Sequence, residues 1–431
     1  MSARQSVRGV AATMILIAGV VVPGPVTSRC ADPCAEPVAA AELDFASIPL
    51  AADGVVLATG GRLRSIPVGS SLDDDPDELA VQDSWVAEGT VPGPARYADM
   101  AERALRDLDA LVLPNGAALA GATGAWRYVW PRDASFTAVA LARTGHVDDA
   151  RSVLVYLQRM QDRRSSGGVL EARYLANGSG DVPDGRGLQL DGNGWVLWAV
   201  SQWYAAAPPG AARDVQLAAL RPLVERSLDA IRDNVDPLTG LPGTFPDYWE
   251  VVEDGPTLAT LAPLLLGARS IGPVLEALGL PGAGDVVWSL EQGLTQFAPD
   301  YTRRIDGQTQ DAGVALLMPP FAEPDDVVRA AWTTAAGAMV RPAGGLAPGS
   351  GWRLDGVSWT PTTALFALTA AASGDVERAH QWLEWLDEHR TTRGSLPEKV
   401  LWDGEPSAVA PLAWTDALVL LTLDELDAHE D

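Results

Sequence analysis

Beyond about residue 95 the chain is a succession of helical patterns, with no run of strands from which a central sheet could be built. That feature limits the fold more than any other: a helix must bury its apolar stripe, and without a sheet it can do so only on other helices. Residues 97–112 set the pattern, with Ala101, Leu105, Leu108 and Leu111 on one face. Comparable periodicity predicts helices over residues 134–144, 147–160, 190–205, 211–234, 257–268, 271–278, 285–297, 310–318, 325–340, 360–372, 375–389 and 411–426, separated by Gly and Pro turns. No repeat of fixed period is present, which argues against a solenoid. The remaining solution is all-α: a toroid of six helical hairpins, an (α/α)6 barrel, whose inner helices are apolar all round. Gly194 to Tyr204, carrying Trp195, Trp198 and Trp203, reads as such an inner helix.

The barrel is assigned residues 96–431. Residues 42–95 are expected to hold one short β-hairpin, turning at Gly60-Gly61, and an acidic linker through Asp73–Glu78. Residues 1–41 read as a targeting segment. Arg4 and Arg8 precede an apolar run from Val10 to Val22, with small residues beyond it, which is the pattern of a secretory signal. The alternative is an uncleaved N-terminal anchor, the one route by which the chain would meet a membrane. Export places the protein outside the cell or in its envelope, where Cys30 and Cys34, if retained, are a close pair able to oxidise.

Charge excludes several functions. The formal net charge is −26, from 31 Lys plus Arg against 57 Asp plus Glu. Such a surface repels phosphate backbones and anionic lipid, so nucleic acid is not an expected partner and a neutral substrate is. The four histidines and two cysteines show no metal-ligand spacing. No phosphate-binding glycine motif and no G-x-S-x-G elbow occurs, so neither a metal, a nucleotide nor any other cofactor is expected. Asn177, Asp181 and Asp184 read as a Gly-rich polar turn rather than a calcium loop.

Tryptophan and carboxylates carry the chemistry. Fifteen Trp against six Phe and seven Tyr is a high ratio, and an indole offers a flat apolar face for a sugar ring and an N–H for a hydroxyl. Three loop clusters join Trp to charge: Trp126-Arg-Tyr-Val-Trp-Pro-Arg-Asp133, Pro246-Asp-Tyr-Trp-Glu250 and Ser395-Leu-Pro-Glu-Lys-Val-Leu-Trp402. Long loops on a helical scaffold concentrate function. Two glutamates and an Arg-Asp clamp around one pocket would equip it for glycoside hydrolysis, one carboxylic acid protonating the leaving oxygen and one carboxylate activating water.

These motifs, in order, resemble those of the glucoamylase-like glycoside hydrolase family fifteen, which includes glucoamylases, glucodextranases and bacterial trehalases. Tyr128-Val-Trp-Pro-Arg-Asp-Ala-Ser135 resembles the family's first signature and Leu190-Asp-Gly-Asn-Gly-Trp-Val-Leu-Trp198 the second. Trp249-Glu250 resembles the general-acid motif, Gly394-Ser-Leu-Pro-Glu-Lys399 the general-base loop, and Pro411 to Leu418 the last signature helix. The resemblance implies Glu250 as general acid and Glu398 as general base of an inverting hydrolysis. It implies Arg132 and Asp133 gripping the terminal sugar, with Trp130, Trp249 and Trp414 as apolar walls; Trp126, Tyr128, Asp191 and Trp402 complete the expected substrate-binding set. A protonated Glu250 is expected from burial beside Trp249, and an ionised Glu398 from the adjacent Lys399.

Two departures bear on the sugar rather than on the mechanism. Trp126 stands where the family usually has Tyr, and no Arg occurs in Gly344 to Trp352, where the family commonly has one. The expected function is thus a secreted inverting exo-glycosidase releasing a terminal sugar, glucose by resemblance, from a neutral α-linked oligo- or polysaccharide. The alternatives are the same fold acting on another neutral envelope glycan, or a weakly catalytic carbohydrate-binding protein.

Overall fold

The computed structural model describes residues 49–70, 75–305 and 307–430, all within the compact unit Asp32–Asp431. The targeting segment and both cysteines lie outside the described residues. Thirteen α-helices are described: α1 Pro76–Glu88, α2 Ala98–Leu111, α3 Pro131–Arg143, α4 Val147–Arg163, α5 Asp191–Ala206, α6 Ala211–Asn234, α7 Leu258–Ser270, α8 Gly272–Leu278, α9 Gly284–Leu294, α10 Asp326–Met339, α11 Thr360–Ala372, α12 Val376–Glu388 and α13 Ala413–Glu430. The strands are short: β1 Gly54–Ala58, β2 Arg62–Ile66, β3 Tyr128–Val129, β4 Tyr174–Leu175, β5 Ser358–Trp359, β6 Lys399–Val400 and β7 Pro406–Ser407.

Six elements close an inner ring among the described residues. In order these are α3, α5, α7, the 3-10 helix Ala312–Leu317, α11 and α13, each packed on the next and α13 back on α3. Their sequences explain the position: α7 and α11 are buried along nearly their whole length, as a helix apolar on every face must be. The outer layer is α2, α4, α6, α9, α10 and α12, packed respectively on α13, α3, α5, α7, the 3-10 helix and α11. These are one-sided helices; α4 buries Ala150, Val153, Leu154, Leu157 and Met160 at helical spacing. The expected (α/α)6 barrel is the observed fold. Where the pattern predicts an α-helix over residues 310–318, the fourth inner element is the shorter 3-10 turn. At Gly194 of α5 the contact with α7 has no room for a side chain, since a Cβ would stand 2.2 Å from the Pro263 carbonyl oxygen.

The hairpin forms as expected, with Gly60 and Gly61 both at positive φ in its turn. It packs on α2, where Arg103 donates to the Val55 carbonyl at 2.9 Å. The acidic linker needs correction. Its C-terminal part starts helix α1: Asp75 caps the helix by accepting from the Asp77 N–H at 3.1 Å, Pro76 occupies its first turn, and Asp77 and Glu78 follow. Aspartate before proline with acids in the first turn is helix-start chemistry, which an acidic run read as solvated linker conceals. Gln82 then ties α1 to α2, donating to the Arg106 carbonyl at 3.1 Å.

Candidate active site

A deep cavity of about 610 Å³, counting its opening to solvent, lies at the N-terminal ends of the inner helices. Arg132 and Asp133 reach it from the first turn of α3, Pro361 and Thr362 from α11, and Trp414 from α13. Tyr248, Trp249 and Glu250 enter from the loop before α7, and Glu398 from the residue before β6. Beneath them Phe136 packs at 4.9 Å on both Trp195 and Trp198 and at 5.9 Å on Trp414, filling the barrel under the cavity.

The Arg132–Asp133 pair is buried, with Nη2 of Arg132 2.9 Å from Asp133 Oδ2 and the guanidinium 4.4 Å over the Trp414 ring. Burial raises the Asp133 carboxyl above the usual range, with Arg132 opposing the shift. Arg132 Nε and Nη1 are buried without an acceptor among the described residues. The indole N–H groups of Trp126, Trp249, Trp352, Trp359 and Trp414, all lining residues, are in the same condition. A buried donor left unpaired costs about 1–3 kcal/mol, so so many donors around one cavity suit a ligand rich in acceptors.

Glu250 sits in a backbone conformation rare for a residue with a side chain, with φ at 54°. Its N–H donates to the Asp247 carbonyl at 2.8 Å. The Trp130 N–H donates to its Oε1 at 2.5 Å, and the Arg186 guanidinium pairs with its Oε2. The loop is pinned from behind: the Asp247 carboxylate accepts from the Trp249 backbone N–H at 2.8 Å and the Thr257 hydroxyl at 2.7 Å. Arg303 pairs with Asp247 at 2.7 Å, Glu253 at 2.5 Å and Asp311 at 2.8 Å, its guanidinium 3.8 Å over the Trp249 ring. Tyr248 donates to Asp311 at 2.8 Å, and burial pushes the Tyr248 hydroxyl far above its ordinary range.

Glu398 is held by its backbone just before β6, the central strand of the small sheet β5-β6-β7, donating to the Val409 carbonyl at 2.8 Å and accepting from the Thr360 N–H at 3.0 Å. Lys399 is 3% exposed, with Nζ 3.2 Å from Glu398 Oε2 and 4.3 Å over the Trp359 ring. It is an interior cation beside the carboxylate, not a solvated side chain.

Of the expected site residues, Glu250, Glu398, Trp126, Trp130, Arg132, Asp133, Trp249 and Trp414 line this cavity together. Three do not. Asp191 is buried behind Arg132, accepting from the Trp195 N–H at 3.3 Å, and its carboxyl is pushed up to about 7 by burial against the opposing pull of Arg132. Tyr128 stands behind the lining, its ring 6.3 Å from that of Trp130 and under the Arg173 guanidinium at 4.7 Å. Trp402 is 40% exposed because the turn after β6 carries it outward, Gly404 donating back to the Leu401 carbonyl. Conversely, Trp352 and Trp359 form a wall with Trp249, at 4.8 Å between Trp249 and Trp352 and 5.7 Å between Trp352 and Trp359. The signal for Trp352 was a Gly/Pro-rich loop over residues 341–358, long enough to be functional, and Trp359 directly follows it. Arg186 and Arg303 carried none, since their partners are distant in the chain.

The fold is the (α/α)6 barrel of glucoamylase-type glycosidases, which the chain resembles. Among solved structures it is similar to a glycosidase, with a TM-score of 0.63 at 22% identity over 82% of this chain and 99% of that one. It is also similar to a bacterial glucoamylase complexed with acarbose, with a TM-score of 0.65 at 16% identity over 82% of this chain and 60% of that one. An isomaltose glucohydrolase of Kribbella flavida is 24% identical over 344 residues, covering 69% of this chain and 84% of the relative. No family model matches the chain.

Proposed function

We propose that the protein is an inverting exo-glycoside hydrolase that removes a terminal glucose from a neutral α-linked oligosaccharide. Glu250 is its general acid and Glu398 its general base. The observation that carries the reading is that both glutamates line one cavity with the buried Arg132–Asp133 pair. In the reaction, Glu250 protonates the glycosidic oxygen while Glu398 takes a proton from water attacking the other face of the sugar, so the product anomer is inverted. The unmatched indole and guanidinium donors suit the hydroxyls of a sugar, and the aromatic walls suit its apolar faces. The packed aromatics under the cavity favour release of a single end unit over passage of a chain.

A relative named for isomaltose makes the α-1,6-linked disaccharide the first substrate to try. The test is an NMR time course of the anomeric protons with isomaltose, maltose, trehalose and soluble starch. β-Glucose appearing first is the expected result; α-glucose appearing first overturns the inverting mechanism. Glu250→Gln and Glu398→Gln should each lower turnover on the order of 10²- to 10⁴-fold while sugar still quenches tryptophan fluorescence. Undiminished turnover in either variant removes that residue from its role. Export through the segment Val10 to Val22 belongs to the same proposal, and N-terminal sequencing of protein recovered from culture medium tests it.

A further inference from the structure

Glu250 is held in a way that suits its ionised form alone. Its Oε1 receives the Trp130 N–H and its Oε2 meets the Arg186 guanidinium. Indole and guanidinium donate and cannot accept, so neither neighbour can take the hydrogen bond of a neutral carboxyl, and the adjoining cation favours the carboxylate. On the reading of Glu250 as general acid, on which this inference rests, that is the wrong form for the first step, because the acid must carry the proton it gives to the leaving oxygen.

Arg186 has a second partner within reach. Its Nε lies 3.3 Å from Asp184 Oδ2, and Asp184 is paired with Arg173. Arg173 is fixed in turn, donating to the Ala125 carbonyl at 2.9 Å with its guanidinium 4.8 Å over the Trp130 ring. Asp184 is held below the ordinary carboxylate range by hydrogen bonds and charge from Arg173 and Arg186, although burial opposes them. Arg186 stands between Gly185 and Gly187, and at neither would a Cβ meet anything within 4 Å, so the segment has room to turn. Three other cations near the cavity have their own carboxylates: Arg132 has Asp133, Lys399 has Glu398, and Arg303 behind Trp249 is shared by Asp247, Glu253 and Asp311.

We propose that Arg186 is a positioning residue that keeps Glu250 ionised in the empty site, and that it moves fully onto Asp184 when a sugar fills the leaving-group side. As the guanidinium leaves, Oε2 takes one proton from solvent. Arg186 stays charged throughout, with Asp184 as its counter-ion, and no covalent bond changes. The acid is thereby armed by the substrate.

The test compares pH profiles of kcat/KM and kcat for Arg186→Gln and Arg186→Lys in the full chain, on the disaccharide hydrolysed fastest. The basic limb of kcat/KM reports the acid of the free enzyme, and that of kcat reports the occupied one. In Arg186→Gln the kcat/KM limb should move up by about one to three pH units, while the kcat limb stays in place. Arg186→Lys, which keeps the charge, should return the kcat/KM limb to near its original position. Both limbs moving together would mean that Arg186 stays on Glu250 through turnover, and neither moving would leave the contact structural; either overturns the proposal. A Lys variant shifted as far as the Gln variant overturns it too. Failure of the parent reading looks different: Glu250→Gln would then keep hydrolysing the disaccharide, whatever the Arg186 variants do.

Discussion

Replacing Arg303 with methionine should loosen the loop that carries Glu250 and destabilise the barrel together. The methionine keeps part of the apolar stem but removes the cation shared by Asp247, Glu253 and Asp311, three carboxylates buried beneath Trp249. Breaking a buried ion pair by deleting one partner costs about 3–5 kcal/mol, because the remaining charge stays buried and uncompensated. Arg304 still covers Glu253 at 2.5 Å, and Asp247 keeps the Thr257 hydroxyl and the Trp249 backbone N–H, so the lower end of that range applies. With an unfolding entropy of about 2.1 cal/mol/K per residue over roughly 380 residues, the midpoint should fall by about 4 °C. The loss should depend on pH. Burial raises the Asp311 carboxyl above its ordinary range, and Arg303 pulls it down; without Arg303 it sits higher still. An acid whose folded pKa exceeds its unfolded value costs stability above the folded value and recovers it as the pH falls. The deficit should therefore be largest above neutral pH and shrink on acidification, in thermal melts of both proteins across that range. A fall of under about 1 °C, or a deficit equal at pH 5 and pH 8, refutes the role of Arg303 as the charge hub.

Three further outcomes follow from single contacts. Asp191, pushed up to about 7 by burial, costs stability above that pH and recovers it toward its unfolded value. Denaturant titrations should then show the parent gaining on Asp191→Asn between pH 8 and about pH 5, and parallel curves would refute this. Trp352→Phe removes a buried indole N–H from the cavity wall and should raise KM by about twofold to tenfold, whereas Trp402→Phe, outside the cavity, should leave KM unchanged. Equal effects would contradict the placement of the two rings. Gly194→Ala, whose Cβ would stand 2.2 Å from the Pro263 carbonyl oxygen, should force α5 and α7 apart and cost about 1–3 kcal/mol or more by denaturant unfolding.

What the sequence made legible is what is local in it. Helical periodicity located the barrel elements because each needs only its own apolar stripe or, for α7 and α11, its lack of a polar one. Lys399 was readable as the partner of Glu398 because the two are neighbours in the chain. Trp402 misled for the same reason: nearness to Glu398 in sequence suggested nearness in space, but the turn at Asp403 and Gly404 reverses its direction. Helix α1 was hidden by its own start signal, since acids that cap and charge a first turn look like a solvated run when their helix is not apolar. Arg186 and Arg303 reach Glu250 and Asp247 across 64 and 56 positions, and no periodicity or spacing rule connects residues so far apart.

The same contrast explains where the strain lies. A side-chain-bearing residue at positive φ costs on the order of 1–3 kcal/mol and persists only where its surroundings over-determine it. At Glu250 they do: Asp247 ties the backbone on one side, Trp130 and Arg186 take the two carboxylate oxygens, and Arg303 braces the loop from below. Nothing in the local preferences of Tyr-Trp-Glu-Val would select that conformation. The partners drawn from the residue before α3, from the turn at Asp184 and Arg186 and from the Arg303 segment select it, so the Glu250 carboxylate is aimed only when the barrel has closed. A local defect in the closed ring should therefore reach the chemistry before it reaches global unfolding. In Gly194→Ala, activity should fall at temperatures where the helical circular dichroism is still unchanged, and coincident loss of both would show that the loop holds Glu250 without help from the ring.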